Sequence, residues 1–290
     1  MRYLAPAKIN PFLSVGARRA DGLHEIVSVM QAVSLSDTVS LEPAPALSIS
    51  VAPPDAAPAD ETNLAARAAR SLAGMHGLEP AVAIEIRKRI PAAAGLAGGS
   101  ADAAATLLGL KAVWDLRVSR KALERIGAGL GADVPFCIRG GTAVARGAGE
   151  DLAVLSCPEP VWWVLGFADE GLSTGAVYDE YDRLGAGAVG DPYEVADALA
   201  RGDLDRLGAA LRNDLQTAAI SLRPSLAKGA DALSAAGAMA VLLSGSGPTW
   251  LGLARDEAYA HAVAAEVARG FARVEVVHSL RHGPKEITRV

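Results

Sequence analysis

The sequence predicts a mixed α+β fold, because apolar segments typical of strands alternate with longer segments that carry helix signals. Residues 9–15 and 26–35 are rich in β-branched and apolar residues, and turn residues separate them. Residues 103–114 form an alanine-rich run typical of a helix, directly behind a cluster of glycines. With 290 residues, of which 51% are hydrophobic, the chain is long enough for one large or two medium domains with a substantial core.

The first part of the chain predicts a series of strands that ends in a strand, a glycine loop and a helix. The strand segments are residues 9–15, 26–35, 38–41, 47–51 and 82–86. The proline-rich residues 52–58 cannot continue a ladder. After them, Asp60 or Thr62 can cap a helix that runs to about His76 and stops at Gly77.

The rest of the chain predicts further helices and strands around a second glycine turn. The helices are expected over residues 119–131, 192–200, 204–217, 224–235 and 257–269, and the strands over 142–145, 161–167, 240–243, 249–253 and 274–277. The turn, residues 244–248, reads Ser-Gly-Ser-Gly-Pro. We place a soft domain boundary near residue 160, which gives an N-terminal lobe of residues 1–160 and a C-terminal lobe of residues 161–290.

Composition narrows the classes of function. The formal net charge of −5 gives no general attraction to nucleic acid, and no clustered basic run is present. Cys137 and Cys157 are the only cysteines, which suits a reducing cytosol and argues against a structural zinc site. Pro6 and Lys8 interrupt the apolar N-terminus, so no signal peptide is expected, and no uncharged apolar run has the length of a membrane span. We therefore expect a cytoplasmic protein that binds neither nucleic acid nor a membrane.

Residues 91–102, Pro-Ala-Ala-Ala-Gly-Leu-Ala-Gly-Gly-Ser-Ala-Asp, form the most informative segment. Glycines let backbone N–H groups approach a ligand, and the helix behind them adds unpaired N–H donors and the positive end of a dipole. This combination predicts a phosphate cradle in a nucleotide-using enzyme. It is neither a Walker loop nor a dinucleotide fingerprint, because no lysine stands beside Ser100 and the run reads G-L-A-G-G-S. The alternative is a glycine-rich turn with Ser100 as a plain N-cap.

Three side chains outside this loop are candidates for chemistry, although each has a simpler interpretation. Lys8 begins an apolar strand, where a lysine is usually a solvated edge charge. His24 follows a tight Asp-Gly turn, where a histidine is more often structural or exposed than catalytic. Asp133 has apolar neighbours after a helix end and can simply cap a turn. Taken one at a time, these residues leave both interpretations open.

Taken together and in order, these segments resemble the successive motifs of the GHMP small-molecule kinases. The motifs are residues 6–10 (Pro-Ala-Lys-Ile-Asn), the loop at 91–102, residues 131–135 (Gly-Ala-Asp-Val-Pro) and residues 243–248 (Leu-Ser-Gly-Ser-Gly-Pro). Residues 19–25, Arg-Ala-Asp-Gly-Leu-His-Glu, narrow the match to a branch whose small-molecule acceptor is a cytidine diphosphate ester of a sugar alcohol. The resemblance, which runs from about Leu4 to about Gly252, implies a two-lobed α+β kinase fold. The N-terminal lobe is expected to resemble domain 2 of ribosomal protein S5 and the C-terminal lobe to be ferredoxin-like, with ATP and Mg²⁺ used in the cleft between them.

The resemblance implies a catalytic pair beside a phosphate-binding loop. Asp133 matches the catalytic base and Lys8 its partner, and the hydroxyl of Ser100 matches a position near the magnesium ion. Asn63 matches a position on the nucleotide side. The residues that are expected to wrap the ATP phosphates are Pro91, Ala92, Ala93, Ala94, Gly95, Leu96, Ala97, Gly98, Gly99, Ser100 and Ala101.

On the acceptor side, the resemblance implies substrate contacts from both lobes. These residues are Asn10, Leu23, His24, Met30, Thr174, Tyr178, Gly245 and Gly247. Among them, His24 reaches the cytosine, and Thr174 and Tyr178 form the far wall of the cytidine pocket. Gly245 and Gly247 form the turn that closes the phosphate end.

Leu23 and Met30 depart from the pattern, because they stand where the family commonly has aromatic residues. Stacking on an aromatic ring contributes roughly 1–3 kcal/mol per base. We therefore expect normal chemistry with weaker nucleobase selection.

Two other functions fit the same scaffold. Another GHMP kinase, of the homoserine or mevalonate type, is disfavoured because a histidine that binds the edge of a cytosine has no function with such a substrate. A non-catalytic nucleotide sensor is disfavoured because both Lys8 and Asp133 are retained, and binding alone needs no base. The sequence is compatible with a monomer or a homodimer.

Overall fold

Two sheets organise the chain, and the computed structural model describes residues 1–169, 171–185 and 187–287. The strands are, in chain order, β1 (Arg2–Arg18), β2 (His24–Pro43), β3 (Ser48–Ala52), β4 (Val82–Arg87), β5 (Thr142–Gly147), β6 (Asp151–Val154), β7 (Trp162–Phe167), β8 (Arg212–Asn213), β9 (Ala240–Leu243), β10 (Trp250–Ala254), β11 (Arg273–His278) and β12 (Lys285–Glu286). The helices are α1 (Leu64–Met75), α2 (Gly98–Val113), α3 (Arg120–Ala128), α4 (Val134–Arg139), α5 (Thr174–Leu184), α6 (Tyr193–Arg201), α7 (Leu204–Ala210), α8 (Gln216–Leu222), α9 (Ala227–Ala235) and α10 (Glu257–Val267), with a 3₁₀ turn at Pro224–Leu226.

The larger sheet is built on one long antiparallel pair, β1 and β2. Its strands follow the order β12-β1-β2-β4-β3, while β5 and β6 continue from β2 and β8 lies parallel to β1. Helix α2 packs on β1 and β2, and Ala103, Ala104 and Ala105 on this helix are fully buried. Gly109 lies so close to Leu41 of β2 that a Cβ would be 2.2 Å from the leucine side chain. Small side chains therefore let α2 lie directly on the sheet, which fixes the position of its first turn.

The smaller sheet is antiparallel, with the order β11-β7-β10-β9. The indole of Trp163 on β7 is buried and donates from Nε1 to Oε1 of Gln31 on β2 at 3.0 Å, so the two sheets share a contact in the core. The second part of the chain also returns to the larger sheet, where β8 and β12 pair with β1. In the part of the chain that the structure describes, no helix is long and apolar enough to cross a membrane.

The predicted mixed α+β fold is confirmed, but the strands predicted over 26–35 and 38–41 form one continuous strand, β2. Asp37 lies between them and is fully buried. Its Oδ1 accepts hydrogen bonds from the backbone N–H groups of Arg89 and Ile90, at 2.5 and 2.8 Å. The carboxylate is therefore satisfied by tertiary contacts, and the chain does not turn there.

The helix predicted over 204–217 is divided into α7 and α8 by the short strand β8. Asn213 in β8 donates from Nδ2 to the carbonyl oxygens of Leu243 and Gly245, both at 2.7 Å. These contacts hold the chain against the second glycine turn and prevent a continuous helix. Helices α4 and α5 were not predicted, although Ser173 caps α5 by accepting a hydrogen bond from Ala176 N.

Candidate active site

A cleft of about 810 Å³ is lined by residues of β1, α2, α5 and the second glycine turn. Lys8 on β1 and Ser100 on α2 line it from one side, and Tyr178 on α5 and Gly245 after β9 line it from the other. The cleft therefore brings together segments that are far apart in the sequence.

The glycine-rich loop enters α2 through left-handed backbone conformations. Gly95 has a φ of 75°, and Ala93 and Ala97 have φ values of 50° and 56°, in the region that costs an alanine roughly 1–2 kcal/mol. Ala97 occupies the N-cap position of α2, and no side chain caps this end of the helix. Ser100 lies within the first turn, so its interpretation as a plain N-cap is wrong. Because the N-cap side chain makes no hydrogen bond to them, the first N–H groups of α2 can bind a ligand.

The second glycine turn holds the loop from the other side. A Cβ on Gly95 would lie 2.2 Å from the carbonyl oxygen of Ser244, so only glycine fits there. Ser244 Oγ donates to the Gly95 carbonyl at 3.2 Å, and Thr249 Oγ1 donates to the Ala94 carbonyl at 2.7 Å. Two loop carbonyls are thus engaged by the turn, which fixes the loop against the smaller sheet.

Lys8 and Asp133 meet on the wall of the cleft. Lys8 Nζ lies 3.7 Å from Asp133 Oδ2, with 7% of the lysine side chain and 31% of the aspartate side chain exposed. Asp133 stands at the N-cap of α4 but makes no capping hydrogen bond with its side chain. The predicted convergence of these two residues is therefore confirmed, and the carboxylate is not used as a turn cap.

Asn10 orients Lys8 through a short chain of hydrogen bonds. Lys8 Nζ donates to Asn10 Oδ1 at 2.7 Å, and Asn10 Nδ2 donates to Ser28 Oγ at 2.8 Å. Ser28 Oγ in turn donates to the Phe12 carbonyl at 2.7 Å. Both ends of the Asn10 amide are thus engaged within the protein, and the amide oxygen helps to place the ammonium.

On another part of the cleft wall, the ring of His24 lies against a tyrosine ring at an interplanar angle of 36°, and His24 pairs with a carboxylate. The rings of His24 and Tyr178 have centroids 4.8 Å apart. His24 Nε2 lies 2.8 Å from Asp182 Oδ1, and Arg18 Nε lies 3.2 Å from the other oxygen of that carboxylate. Burial raises the pKa of Tyr178, and the charge of Asp133 adds to this rise. The aromatic rings form an apolar wall that suits a planar base.

Both departures from the family pattern lie on the cleft wall. Leu23 lines the cleft with 52% of its surface exposed. Met30 also lines the cleft but is 2% exposed and packs with Phe136. An exposed leucine therefore stands where an aromatic residue was expected from the resemblance.

A buried charged cluster lies beneath the glycine-rich loop. Lys88 Nζ donates to Asp37 Oδ2 at 2.5 Å and to Asp102 Oδ2 at 2.6 Å. Burial opposes the charge of Lys88, but the two carboxylates outweigh it and raise the lysine pKa. Burial raises the pKa of Asp102 to about 8, although Lys88 acts in the opposite direction and Asp37 adds to the rise. The cluster therefore places one ammonium and two carboxyl groups together, out of contact with solvent.

Most of the residues that the sequence assigned to the site line the cleft. They are Lys8, Asn10, Leu23, His24, Met30, Asn63, Pro91, Ala92, Ala93, Ala94, Gly95, Ala97, Gly98, Gly99, Ser100, Asp133, Thr174, Tyr178 and Gly245. Among these, Asn63 is engaged locally, because its Oδ1 caps α1 and its Nδ2 donates to the Pro58 carbonyl at 2.7 Å. Thr174 Oγ1 lies 3.0 Å from Ser246 Oγ, which links α5 to the second glycine turn.

Three assigned residues do not line the cleft. Leu96 and Ala101 are buried in the core, although the Leu96 carbonyl accepts a hydrogen bond from Lys8 N at 3.1 Å. Gly247 lies within the second glycine turn, and its N–H donates to the Ser244 carbonyl at 2.8 Å. These three residues lie behind the cleft wall and shape it through their backbone, so a ligand in the cleft would not touch them.

Lys88, Asp102 and Asp182 also belong to the site region, but the sequence did not assign them a role. Asp102 is the one charged residue in the first turns of an otherwise alanine-rich helix. A lone acidic residue at an inward position of such a helix indicates a buried partner. No comparable local pattern marks Asp182, whose carboxylate is brought to His24 by the fold of α5.

Comparison with known proteins identifies the family. Residues 63–141 match the description "GHMP kinases N terminal domain", and residues 195–273 match "GHMP kinases C terminal". A protein of Streptomyces avermitilis named 4-diphosphocytidyl-2-C-methyl-D-erythritol kinase is 52% identical over 265 residues, which cover 89% of this chain and 89% of that protein. The chain belongs to the GHMP kinase family.

Other relatives agree with this placement. A Rhodococcus jostii protein with the same name is 49% identical to this GHMP kinase over 270 residues, which cover 91% of this chain and 87% of that one. A crystal structure of 4-(cytidine 5'-diphospho)-2C-methyl-D-erythritol kinase superposes with a TM-score of 0.82 at 36% identity, over 96% of this chain and 99% of the other. A homoserine kinase from Cytophaga hutchinsonii has a TM-score of 0.77 at 19% identity, which shows a shared fold alone. The GHMP kinase fold implied by the sequence motifs is thus confirmed, and membership of a kinase family implies ATP as the co-substrate.

Proposed function

We propose that this GHMP kinase transfers the γ-phosphoryl group of ATP to the 2-hydroxyl of 4-diphosphocytidyl-2-C-methyl-D-erythritol, giving the 2-phosphate and ADP. The step belongs to isopentenyl diphosphate biosynthesis by the non-mevalonate (methylerythritol phosphate) pathway. Relatives with 52% and 49% identity carry the name of that kinase. The single observation that carries the proposal is the pair of Lys8 and Asp133, 3.7 Å apart in the cleft that the glycine-rich loop also lines.

In this proposal, Asp133 orients the acceptor hydroxyl and accepts its proton late in the reaction. A carboxylate cannot remove an alcohol proton in the ground state, because ordinary carboxyl pKa values lie about 12 units below that of water. Phosphoryl transfer through a loose transition state instead depends on position and on charge stabilisation. Lys8, which Asn10 holds in place, supplies positive charge next to the reacting oxygens.

The loop and the first turn of α2 are proposed to hold the ATP phosphates. Their uncapped N–H groups and the positive end of the helix dipole favour an anion. Among the residues that the structure describes, no three His, Cys, Asp or Glu side chains are grouped to hold a metal ion. Mg²⁺ is commonly held by one or two protein oxygens together with substrate phosphates, and the hydroxyl of Ser100 on the cleft wall would offer one such oxygen. When bound, the ion neutralises charge on the phosphates that are being transferred.

The cytidine end of the acceptor is proposed to lie between His24 and Tyr178 on one side and the exposed Leu23 on the other. Planar bases stack on such rings. A pocket for homoserine or mevalonate does not require a planar base site, so this end of the cleft favours the cytidine substrate.

A substrate panel tests the proposal. The purified protein is incubated with ATP and Mg²⁺ and with the cytidine substrate, homoserine or mevalonate, and ADP release is measured. The cytidine substrate is expected to be the preferred acceptor. Faster turnover of homoserine or mevalonate would assign another GHMP activity, and ATP binding without turnover of any acceptor would favour a nucleotide sensor.

We also propose that residues 1–160 and 161–290 form the two lobes and that the protein works in the cytoplasm. Support for the lobes comes from the two sheets, although β8 and β12 join the larger sheet from the second lobe. Support for the compartment comes from the unpaired thiols of Cys137 and Cys157.

A further inference from the structure

The two ends of the glycine-rich loop are tied together by the buried cluster of Lys88, Asp37 and Asp102. Lys88 precedes the loop and Asp102 is its last residue, and the Lys88 ammonium donates hydrogen bonds to Asp102 and to Asp37 of β2. The side chains of Lys88, Asp37 and Asp102 are 5%, 0% and 2% exposed. The residues between the two ends are the ones proposed to receive the ATP phosphates.

We propose that Lys88 is a positioning residue for the phosphate donor: held between Asp37 and Asp102, its ammonium fixes the two ends of the loop and so sets the backbone N–H groups that face ATP. The inference rests on the proposed function, and it deepens the description of the same site. Lys88 acts through the loop and takes no part in the chemistry.

The contacts of each member place it on a different part of the loop. Asp37 accepts the N–H groups of Arg89 and Ile90, so β2 fixes the chain that enters the loop. On the other side, a Cβ on Gly98 would lie 3.2 Å from Lys88 Nζ and 2.9 Å from Ile90 Cγ2. The first residue of α2 therefore rests directly on the cluster. A shift of Lys88 moves both the entry to the loop and the start of the helix.

The cluster is better suited to placement than to stability. Among the described residues, Asp102 Oδ1 is buried without a hydrogen-bond partner, which costs free energy. Buried ion pairs often stabilise a fold no better than apolar side chains of the same volume. The arrangement of two carboxylates around one ammonium lies next to the proposed phosphate site. We therefore explain it by the geometry that it imposes on the loop.

Variants of Asp102 test the inference with less disturbance of charge than a Lys88 variant, which would leave two buried carboxylates without their ammonium. Asp102→Leu removes the bond between Lys88 and α2 but leaves the neutral pair of Lys88 and Asp37. Asp102→Asn keeps an oxygen that can accept from Lys88. Glu124→Leu is the matched control, because it removes a carboxylate that pairs with Arg139 at 2.7 Å outside the cleft. The readouts are KM for ATP, KM for the cytidine acceptor, and Tm.

We expect Asp102→Leu to raise KM for ATP about tenfold, equivalent to about 1.4 kcal/mol, while KM for the acceptor stays within about twofold. Asp102→Asn is expected to restore most of the ATP affinity, and Glu124→Leu is expected to leave both KM values unchanged. An unchanged KM for ATP in Asp102→Leu would overturn the inference. A parallel rise in both KM values would also overturn it, because a general loss of structure gives that result.

Gly98→Ala provides a second test if Asp102→Leu does not fold. Its added methyl group displaces Lys88 and Ile90 without a change of charge, and it is expected to raise KM for ATP in the same selective way. If the wild-type protein does not phosphorylate the cytidine acceptor, the proposed function fails, and ATP binding measured by calorimetry alone then decides the role of Lys88. Equal ATP affinities in wild type, Asp102→Leu and Gly98→Ala would reject that role.

Discussion

Replacement of Lys8 by methionine removes the ammonium that faces Asp133 while it keeps an unbranched side chain of similar length. The two charged groups lie 3.7 Å apart. At an effective dielectric constant of about 20, a lysine ammonium about 4 Å from an oxygen whose negative charge grows in the transition state stabilises that charge by about 4 kcal/mol. The aspartate side chain is 31% exposed, so solvent screens part of this stabilisation. We therefore expect the variant to lose about 3 kcal/mol of transition-state stabilisation, which corresponds to a fall in kcat of about two orders of magnitude.

The assay is the steady-state release of ADP at saturating ATP and acceptor. The matched control is Lys121→Met, which removes the charge of an exposed lysine on α3 and is expected to leave kcat unchanged. KM for ATP in the Lys8 variant is expected to stay within about threefold of wild type, because the loop and the helix dipole still bind the phosphates. A Lys8→Met variant that keeps more than about a third of the wild-type kcat would refute the reasoning.

Three further variants probe the loop, the buried cluster and the acceptor pocket. Gly95→Ala forces a side chain onto a residue with a φ of 75° and places its Cβ 2.2 Å from the Ser244 carbonyl, so ATP affinity measured by calorimetry is expected to fall about tenfold or more. In Gly74→Ala, where nothing lies within 4 Å, stability is expected to rise by about 1 kcal/mol; equal ATP affinities in the two glycine variants would contradict the loop geometry. Because burial raises the pKa of Asp102 to about 8, the folded state holds an extra proton between about pH 4 and pH 8, and stability is expected to fall as pH rises through this window. Urea unfolding across that range is expected to show that Asp102→Asn removes this fall, and identical pH dependence in wild type and variant would disprove the assignment. Leu23→Tyr is expected to lower KM for the cytidine substrate at least about fivefold, because stacking contributes roughly 1–3 kcal/mol, and an unchanged KM would mean that the leucine does not weaken base binding.

A glycine-rich loop followed by a helix could be predicted from the sequence because the two parts are adjacent in the chain. Gly95 adopts a left-handed conformation, and α2 begins at Gly98, before the predicted start of the helical run at residue 103. The contact between Lys8 and Asp133 could not be predicted from any local pattern. They lie on β1 and at the start of α4, and only the resemblance to a known family indicated that these positions converge.

The partners of Asp102 in the buried cluster could not be predicted, because Asp37 and Lys88 each have an ordinary local interpretation. Aspartate is common in turns, which is the simplest interpretation of Asp37, and a lysine that follows a strand, such as Lys88, is usually exposed. Their roles depend on β2, the loop and α2 lying in contact, which no local pattern encodes. The hydrogen bonds of Asn10 to Lys8 and Ser28 could not be predicted from local patterns either, because they depend on the pairing of β1 with β2.

The most direct test of the catalytic site is Asp133→Ala, with turnover and ATP binding measured on the same preparation. Turnover of the cytidine acceptor is expected to fall about 10³-fold, within the range for loss of a general base, while calorimetry gives a Kd for ATP within about threefold of wild type. Turnover close to the wild-type rate would show that the carboxylate facing Lys8 does not take part in phosphoryl transfer. A loss of ATP binding as large as the loss of turnover would contradict the assignment of Asp133 to the acceptor side of the cleft.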